Sequence, residues 1–142
     1  VKTLALSNGD LAVGPAGHQT VTGSSKVRQD LALALGERLG NDRFHPTWGS
    51  VLDEYVGQPI GESTMALIQN EVSRVLAQYI AVRDEYIRQD QVNGTRSRFD
   101  TSDVVAEVNS IQASQDFDTI RIRVTLRTLA GTQISVNRTV TY

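Results

Sequence analysis

The sequence predicts an α+β fold: an N-terminal arm, three helices of which one is long, and a small, mainly antiparallel sheet ending in a C-terminal β-hairpin. Three observations predict it. Apolar residues recur at helical spacing through the middle of the chain. The period switches to two in the last third. The helical and strand blocks follow one another instead of alternating, which argues against a doubly wound parallel sheet. The chain has 142 residues, about one domain's worth. It reads as a single domain over 1–142, with an extended arm at 1–23, a helical part at 24–93 and a β part at 95–142.

Four glycines and Pro15 punctuate residues 1–23, and few large apolar side chains interrupt them. Such a stretch cannot build much core alone. Leu4 with Leu6, and Leu11 with Val13, alternate enough for short edge strands. Ser24 and Ser25 offer cap oxygens for a first helix, in which Val27, Leu31, Ala34 and Leu35 make one stripe. Gly36 and Gly40 bracket its end. Residues 41–47 read as a loop, because Pro46 biases His45 away from helix. A second, short helix is expected from Ser50 to Val56, closed by Gly57 and Pro59.

The third helix starts at Gly61-Glu62-Ser63-Thr64, with hydroxyl caps and an acid at the positive end of the dipole. Ile68, Val72, Val75, Leu76, Tyr79, Ile80, Tyr86 and Ile87 then keep a period near 3.6. It ends before Asn93-Gly94 and should overhang the core, or break near Ala77–Val82. Val104–Ile111 is strand-like with imperfect alternation. Ile120, Ile122, Val124 and Leu126 alternate strictly with Arg121, Arg123, Thr125 and Arg127, the clearest strand signal in the chain. Leu129-Ala130-Gly131-Thr132 is a turn, and Gln133–Tyr142 alternates again, completing a hairpin. No internal repeat stands out.

Composition narrows the chemistry. Net charge is −2 and cysteine is absent. Whole-molecule attraction to nucleic acid or anionic lipid is not expected, and thiolate chemistry is excluded. No apolar run reaches the roughly 18 residues of a membrane span, and the apolar start meets Ser7–Asp10 too soon for a signal peptide. Because the numbering opens at Val1, an initiator methionine is expected to have been removed or left out. His18 and His45 lack ligand-spaced partners, so no metal or cofactor is expected. No nucleophile elbow or phosphate loop is present. Glu37, Asp53, Glu54 and Glu71 are the acids set among apolar residues, the minimum material for a two-carboxylate hydrolase. Aromatics are only 6% of the chain, which supplies a sugar-stacking platform poorly.

Basic residues are 12 Arg against 2 Lys. Arg121, Arg123 and Arg127 share one strand face. That face is either solvated or a cationic surface for an acidic partner. The last strand, Gln133, Ile134, Ser135, Val136, Asn137, Arg138, Thr139, Val140, Thr141 and Tyr142, carries no Pro or Lys to blunt it. It is either an inner strand or an edge whose main chain another polypeptide can complete.

The run Leu35-Gly36-Glu37-Arg38, then Phe44-His45-Pro46-Thr47-Trp48-Gly49-Ser50-Val51-Leu52, resembles the baseplate wedge family of contractile tails. This is the baseplate assembly protein W, or tail-lysozyme-like, family. Gly36, Glu37, Arg38, Pro46, Trp48, Gly49 and Leu52 fall at the family's spacing, and the long helix and terminal hairpin follow in its order. The chain departs from the family at Leu76–Arg83, where a Glu-Pro-Arg signature is usual and no proline stands.

The resemblance implies a structural protein and no enzyme. Its place would be a virion tail baseplate assembled in the host cytoplasm, in six copies around the axis. Its partners would be the sheath, the wedge and core-bundle proteins and the tail tube, with neither nucleic acid nor membrane. The family's sheath attaches by strand exchange, which agrees with the open-edge reading of Gln133–Tyr142; helix Thr64–Gln91 would meet wedge partners. Two alternatives stand beside this one: a tail-associated peptidoglycan hydrolase, and a small anion-binding module using the arginine face. On the scaffold reading, Gly36 turns the chain, Glu37 and Arg38 bond the loop and each other, Pro46 stiffens the loop and Trp48 fills the gap below it.

Overall fold

The structure is a computed structural model describing residues 1–59 and 61–141. Helix α1 (Gly23–Gly36) buries Val27, Leu31, Ala34 and Leu35, the stripe that spacing predicted. It starts ahead of Ser24 and Ser25, which lie inside it. Thr22 holds the N-cap position without a side-chain cap bond. The free N–H of Gly23 is taken instead by Asp103, at 2.8 Å. A distant acid thus answers the positive end of the helix.

The expected second helix does not form, so the count of three helices is wrong: only α1 and α2 are α-helices among the described residues. Leu52–Tyr55 makes one 3-10 turn. Ser50 is not its cap. Its hydroxyl donates to Leu35 O at 2.8 Å, and its backbone bridges Arg38 in parallel. Those bonds hold Ser50 extended, leaving too few residues before Gly57 for a helix.

Helix α2 (Glu62–Val92) runs 31 residues without a break at Ala77–Val82, about 46 Å at 1.5 Å per residue. Ile68, Val72, Val75, Leu76 and Tyr79 are buried on its inner face. Past Tyr79 the buried positions turn polar, Arg83 and Asp90. The chain beyond the helix folds back over this end. Arg98 donates its N–H to Asp90 at 3.1 Å and its Nη2 at 2.6 Å. Phe99 lies 6.5 Å from Tyr86, and the Arg83 guanidinium stands over the rings of Tyr79 and Phe99 at 4.4 and 5.1 Å.

Strands β7 (Val105–Asp116), β8 (Thr119–Thr128) and β9 (Gln133–Thr141) form one antiparallel sheet in the order β7-β8-β9. Ile120, Ile122, Val124 and Leu126 face the core, as their alternation requires. The register of β7 slips between Val105 and Glu107 and again between Val108 and Ser110. Each slip is a bulge that resets which face a residue takes, so the strand's alternation is imperfect in sequence. α1 packs on β9 and α2 on β7, giving two layers with the core between them and a polar outer sheet face.

The arm is not simply extended, and the β structure is more than one sheet. Residues 3–21 form six two-residue strands paired as β1 (Thr3–Leu4) with β6 (Thr20–Val21), β2 (Leu6–Ser7) with β3 (Asp10–Leu11), and β4 (Val13–Gly14) with β5 (Gly17–His18). Ala5, Ala12 and Gln19, seven positions apart, close a ring: Ala5 N to Gln19 O, Ala12 N to Ala5 O and Gln19 N to Ala12 O, at 2.8–2.9 Å. Main-chain bonding substitutes for the apolar core this segment lacks. Gln29 of α1 fastens it, accepting from Leu6 N at 2.9 Å and donating to Leu4 O at 2.8 Å.

Candidate functional site

The residues of the recognised motif form a clamp between α1 and α2. Gly49 has φ +104°, and a Cβ there would stand 2.7 Å from Glu37 O and 3.0 Å from Arg38 O. Only glycine fits. Ser50 N then reaches Glu37 O at 2.8 Å, and Leu39 N reaches Ser50 O at 2.9 Å. α2 grips the loop from below. Glu71 accepts Val51 N at 2.9 Å, Arg74 donates to Gly49 O at 2.8 Å, and Gln78 donates to Thr47 Oγ1 at 3.0 Å. Trp48 is half-buried, its ring 6.4 Å from that of Tyr79. Pro46 is exposed at the loop's surface.

Burial alone would raise the Glu71 carboxyl, but the Arg74 guanidinium at 2.7–2.8 Å and the Val51 N–H outweigh it and hold the group below its ordinary value. Glu71 is therefore a carboxylate serving the loop. Sequence reading noticed this acid but missed its partners. The Glu-x-x-Arg spacing at 71–74 was the available signal, since it places the two on one helix face.

Two expected roles are corrected. Gly36 is the last residue of α1 and has no positive φ. It makes room: a Cβ there would lie 2.5 Å from the guanidinium carbon of Arg138 and 2.7 Å from its Nε. The cation of β9 thereby rests on the negative end of α1. Glu37 and Arg38 are not paired with each other. Glu37 accepts from Asn41 at 2.5 Å, and Arg38 reaches Asp53 at 3.5 Å.

The arginine face is largely answered within the sheet. Arg121 pairs with Asp116 at 2.7 Å and Arg127 with Glu107 at 3.0 Å, both acids lying on β7. Arg123 donates to Asn137 Oδ1 at 3.2 Å. The acid-free run 119–142 reads as cationic because the register that sets the acids of β7 beside it is invisible in the sequence.

β9 is an edge strand. Thr128 donates its N–H to Thr132 O at 3.0 Å. Register from there is regular through Leu126↔Ile134, Val124↔Val136 and Ile122↔Arg138. Hydrogen-bonded pairs alternate along an antiparallel ladder. The even residues of β9 therefore bond to β8, while Gln133, Ser135, Asn137, Thr139 and Thr141 turn their N–H and C=O outward. Among the described residues no hydrogen bond from another segment reaches them on that side. Tyr142 lies outside the described residues. Ile134 and Val136 are buried, so the strand belongs to the core on its even face and is open only along its rim.

A groove of about 510 Å³ follows this rim, walled by α1 and the N-terminal ribbons. Its wall residues Leu6, Val21, Arg28 and Leu33 were missed in the sequence. Leu33 was the visible signal, an apolar residue off the buried stripe of α1.

The remaining candidates lie apart. His45 contacts Asp42 at 2.8 Å in an exposed turn, and His18 sits on β5. Glu37 and Asp53 line one cavity of about 110 Å³ together with Arg138, and Glu54 is exposed. Among the described residues no group of three or more His, Asp or Glu is placed to hold a metal ion, and no helix is long and apolar enough to cross a membrane. Lys26, Asp30, Tyr79 and Arg83 form a polar cluster where α1 meets the C-terminal half of α2.

The whole fold is shared with a solved structure from Geobacter sulfurreducens described as a "putative tail lysozyme": the TM-score is 0.59 at 16% identity, covering 93% of this chain and 96% of that one. No protein-family model matches the chain. No curated protein matches it either. The likeness shows a shared fold over nearly the full length of both chains.

Proposed function

We propose that the protein is a structural component of a contractile tail. In this reading it sits in the baseplate, joins wedge and core-bundle proteins to the sheath, and seeds the sheath by strand addition along β9. One observation carries the proposal: Ser135, Asn137 and Thr139 direct unpaired main-chain donors and acceptors outward from an edge strand. An edge of this kind takes up an extended segment of another chain. The shared fold with a protein described as a "putative tail lysozyme" supports the setting, as does the motif that resembles the baseplate wedge family. Six copies around the tail axis, next to the tail tube, and assembly in the host cytoplasm belong to the same proposal.

Deleting residues 133–142 would be a poor test, because Ile134 and Val136 are core residues. Ser135→Pro is better. It removes one outward N–H and leaves the bonds to β8 in place, a position where edge strands tolerate proline. The variant should fold and enter baseplates, yet sheaths should fail to polymerise on them in electron micrographs. Sheaths of normal length would overturn the proposal.

The description of the structural neighbour favours a second reading, a peptidoglycan hydrolase. On that reading Glu37, beside Asp53 at the small cavity, is the acid to remove. A zymogram of the purified protein against Glu37→Gln separates the two: a clearing band lost in the variant would replace the scaffold role by an enzymatic one.

A further inference from the structure

The rim of β9 faces a wall. Across the groove, Ser25, Arg28, Ala32 and Leu33 form a stripe along α1, and Leu6 and Val21 close one end. From Ser25 to Leu33 the helix rises about 12 Å. Ser135 to Arg138 on β9 cover about 10 Å. The two sides match in length and admit about four residues of an extended chain. Successive side chains of such a segment point to opposite faces, so two turn toward α1 and two toward solvent.

The inward pair would meet apolar surface. Leu33 is 45% exposed, although it lies beside the core stripe, and Ala32, Val21 and Leu6 are only partly covered. Two cations also line the groove, Arg28 and Arg138, and no carboxylate does. Arg138 already rests on the C-terminal end of α1 at Gly36, with Glu37 and Asp53 around the adjoining cavity. Arg28 makes no ion pair among the described residues.

We propose that the segment β9 accepts is amphipathic at period two. It sets apolar side chains i and i+2 against Leu33, Ala32 and Val21, and presents a carboxylate from i+4, the next inward position beyond those four residues, to the long side chain of Arg28. This rests on the strand-addition reading above and adds to it the chemistry of the incoming strand. Main-chain bonds alone would take any extended sequence; the wall makes the edge selective.

Three synthetic peptides titrated onto the full chain test this, with binding read by calorimetry and the outward amides of Ser135, Asn137 and Thr139 by hydrogen exchange. The first is Lys-Thr-Val-Thr-Val-Thr-Glu-Thr-Lys. The second keeps its composition but breaks the alternation, Lys-Val-Val-Thr-Thr-Glu-Thr-Thr-Lys. The third replaces its Glu by Lys. The first should bind about tenfold more tightly than either of the others and slow exchange at Ser135 and Asn137. Arg28→Glu should shift preference to the third peptide, and Leu33→Asp should erase the advantage of alternation. If all three peptides protect β9 with affinities within threefold, the selectivity is refuted while strand addition stands. If none protects an outward amide, strand addition itself falls.

Discussion

Gly49 and Glu71 show how single residues fix the clamp that carries the motif. Gly49 combines a left-handed φ with main-chain oxygens 2.7 and 3.0 Å from where a Cβ would be. Gly49→Ala should cost about 2 kcal/mol or more in urea unfolding, by strain and by displacing Ser50 from Glu37 O. Glu71 is held below its ordinary value in the folded state. A depressed carboxyl stabilises fully above its unfolded value, near 4.5, and that contribution is lost as pH falls through the folded value. Glu71→Gln should therefore lower stability by on the order of 2 kcal/mol at neutral pH and flatten the loss of stability on acidification. Unchanged acid sensitivity in urea titrations of the variant would remove Glu71 from the clamp. Gly36 teaches a different lesson: its partner, Arg138, lies in the last strand, so no local rule for glycine reveals its role.

At the scale of elements, the strands β8 and β9 were legible because one apolar face demands strict alternation, and that demand is local. β7 was half legible. Its two bulges break the alternation, and bulges follow from the partner's register. The same register neutralises the arginine face through Glu107 and Asp116. Removing both charges, by Glu107→Gln with Asp116→Asn, should raise retention on a polyphosphate resin, with the gain lost in salt. Equal retention would mean that those pairs do not screen the face. Helix α2 was legible in type, since its period persists through Tyr79, but whether it breaks near Ala77–Val82 was left open; the chain that folds back through Arg98 and Phe99 supports its far end. The failed helix at Ser50–Val56 had the right apolar residues, but Ser50 is claimed by Leu35 O and Arg38. Local propensity lost to tertiary hydrogen bonds.

The whole molecule is two layers with a ribbon cluster fastened to one side. That cluster hangs on few connections, chiefly both ends of the Gln29 amide. Gln29→Ala should expose residues 3–21 to limited proteolysis while the melting of the two-layer core shifts little, since few core residues lie in the ribbons. Loss of cooperative unfolding in that variant would show instead that the ribbons belong to the core. Their position matters to the proposed role, because Leu6 and Val21 close the groove along β9.

By itself the sequence determined the α+β class, the segments that become α1 and α2 (along with a third helix that does not form), the hairpin and nearly all of the core stripe. Each of these follows from burying one face of a periodic segment, and periodicity is written in the chain. Tertiary structure alone decided that β9 lies at the rim, that a groove runs beside it, and that the arginines have partners. Those are matters of which segments become neighbours, and in this chain the neighbours come from opposite ends: Leu6 and Arg28 from the first, Ser135 and Arg138 from the last.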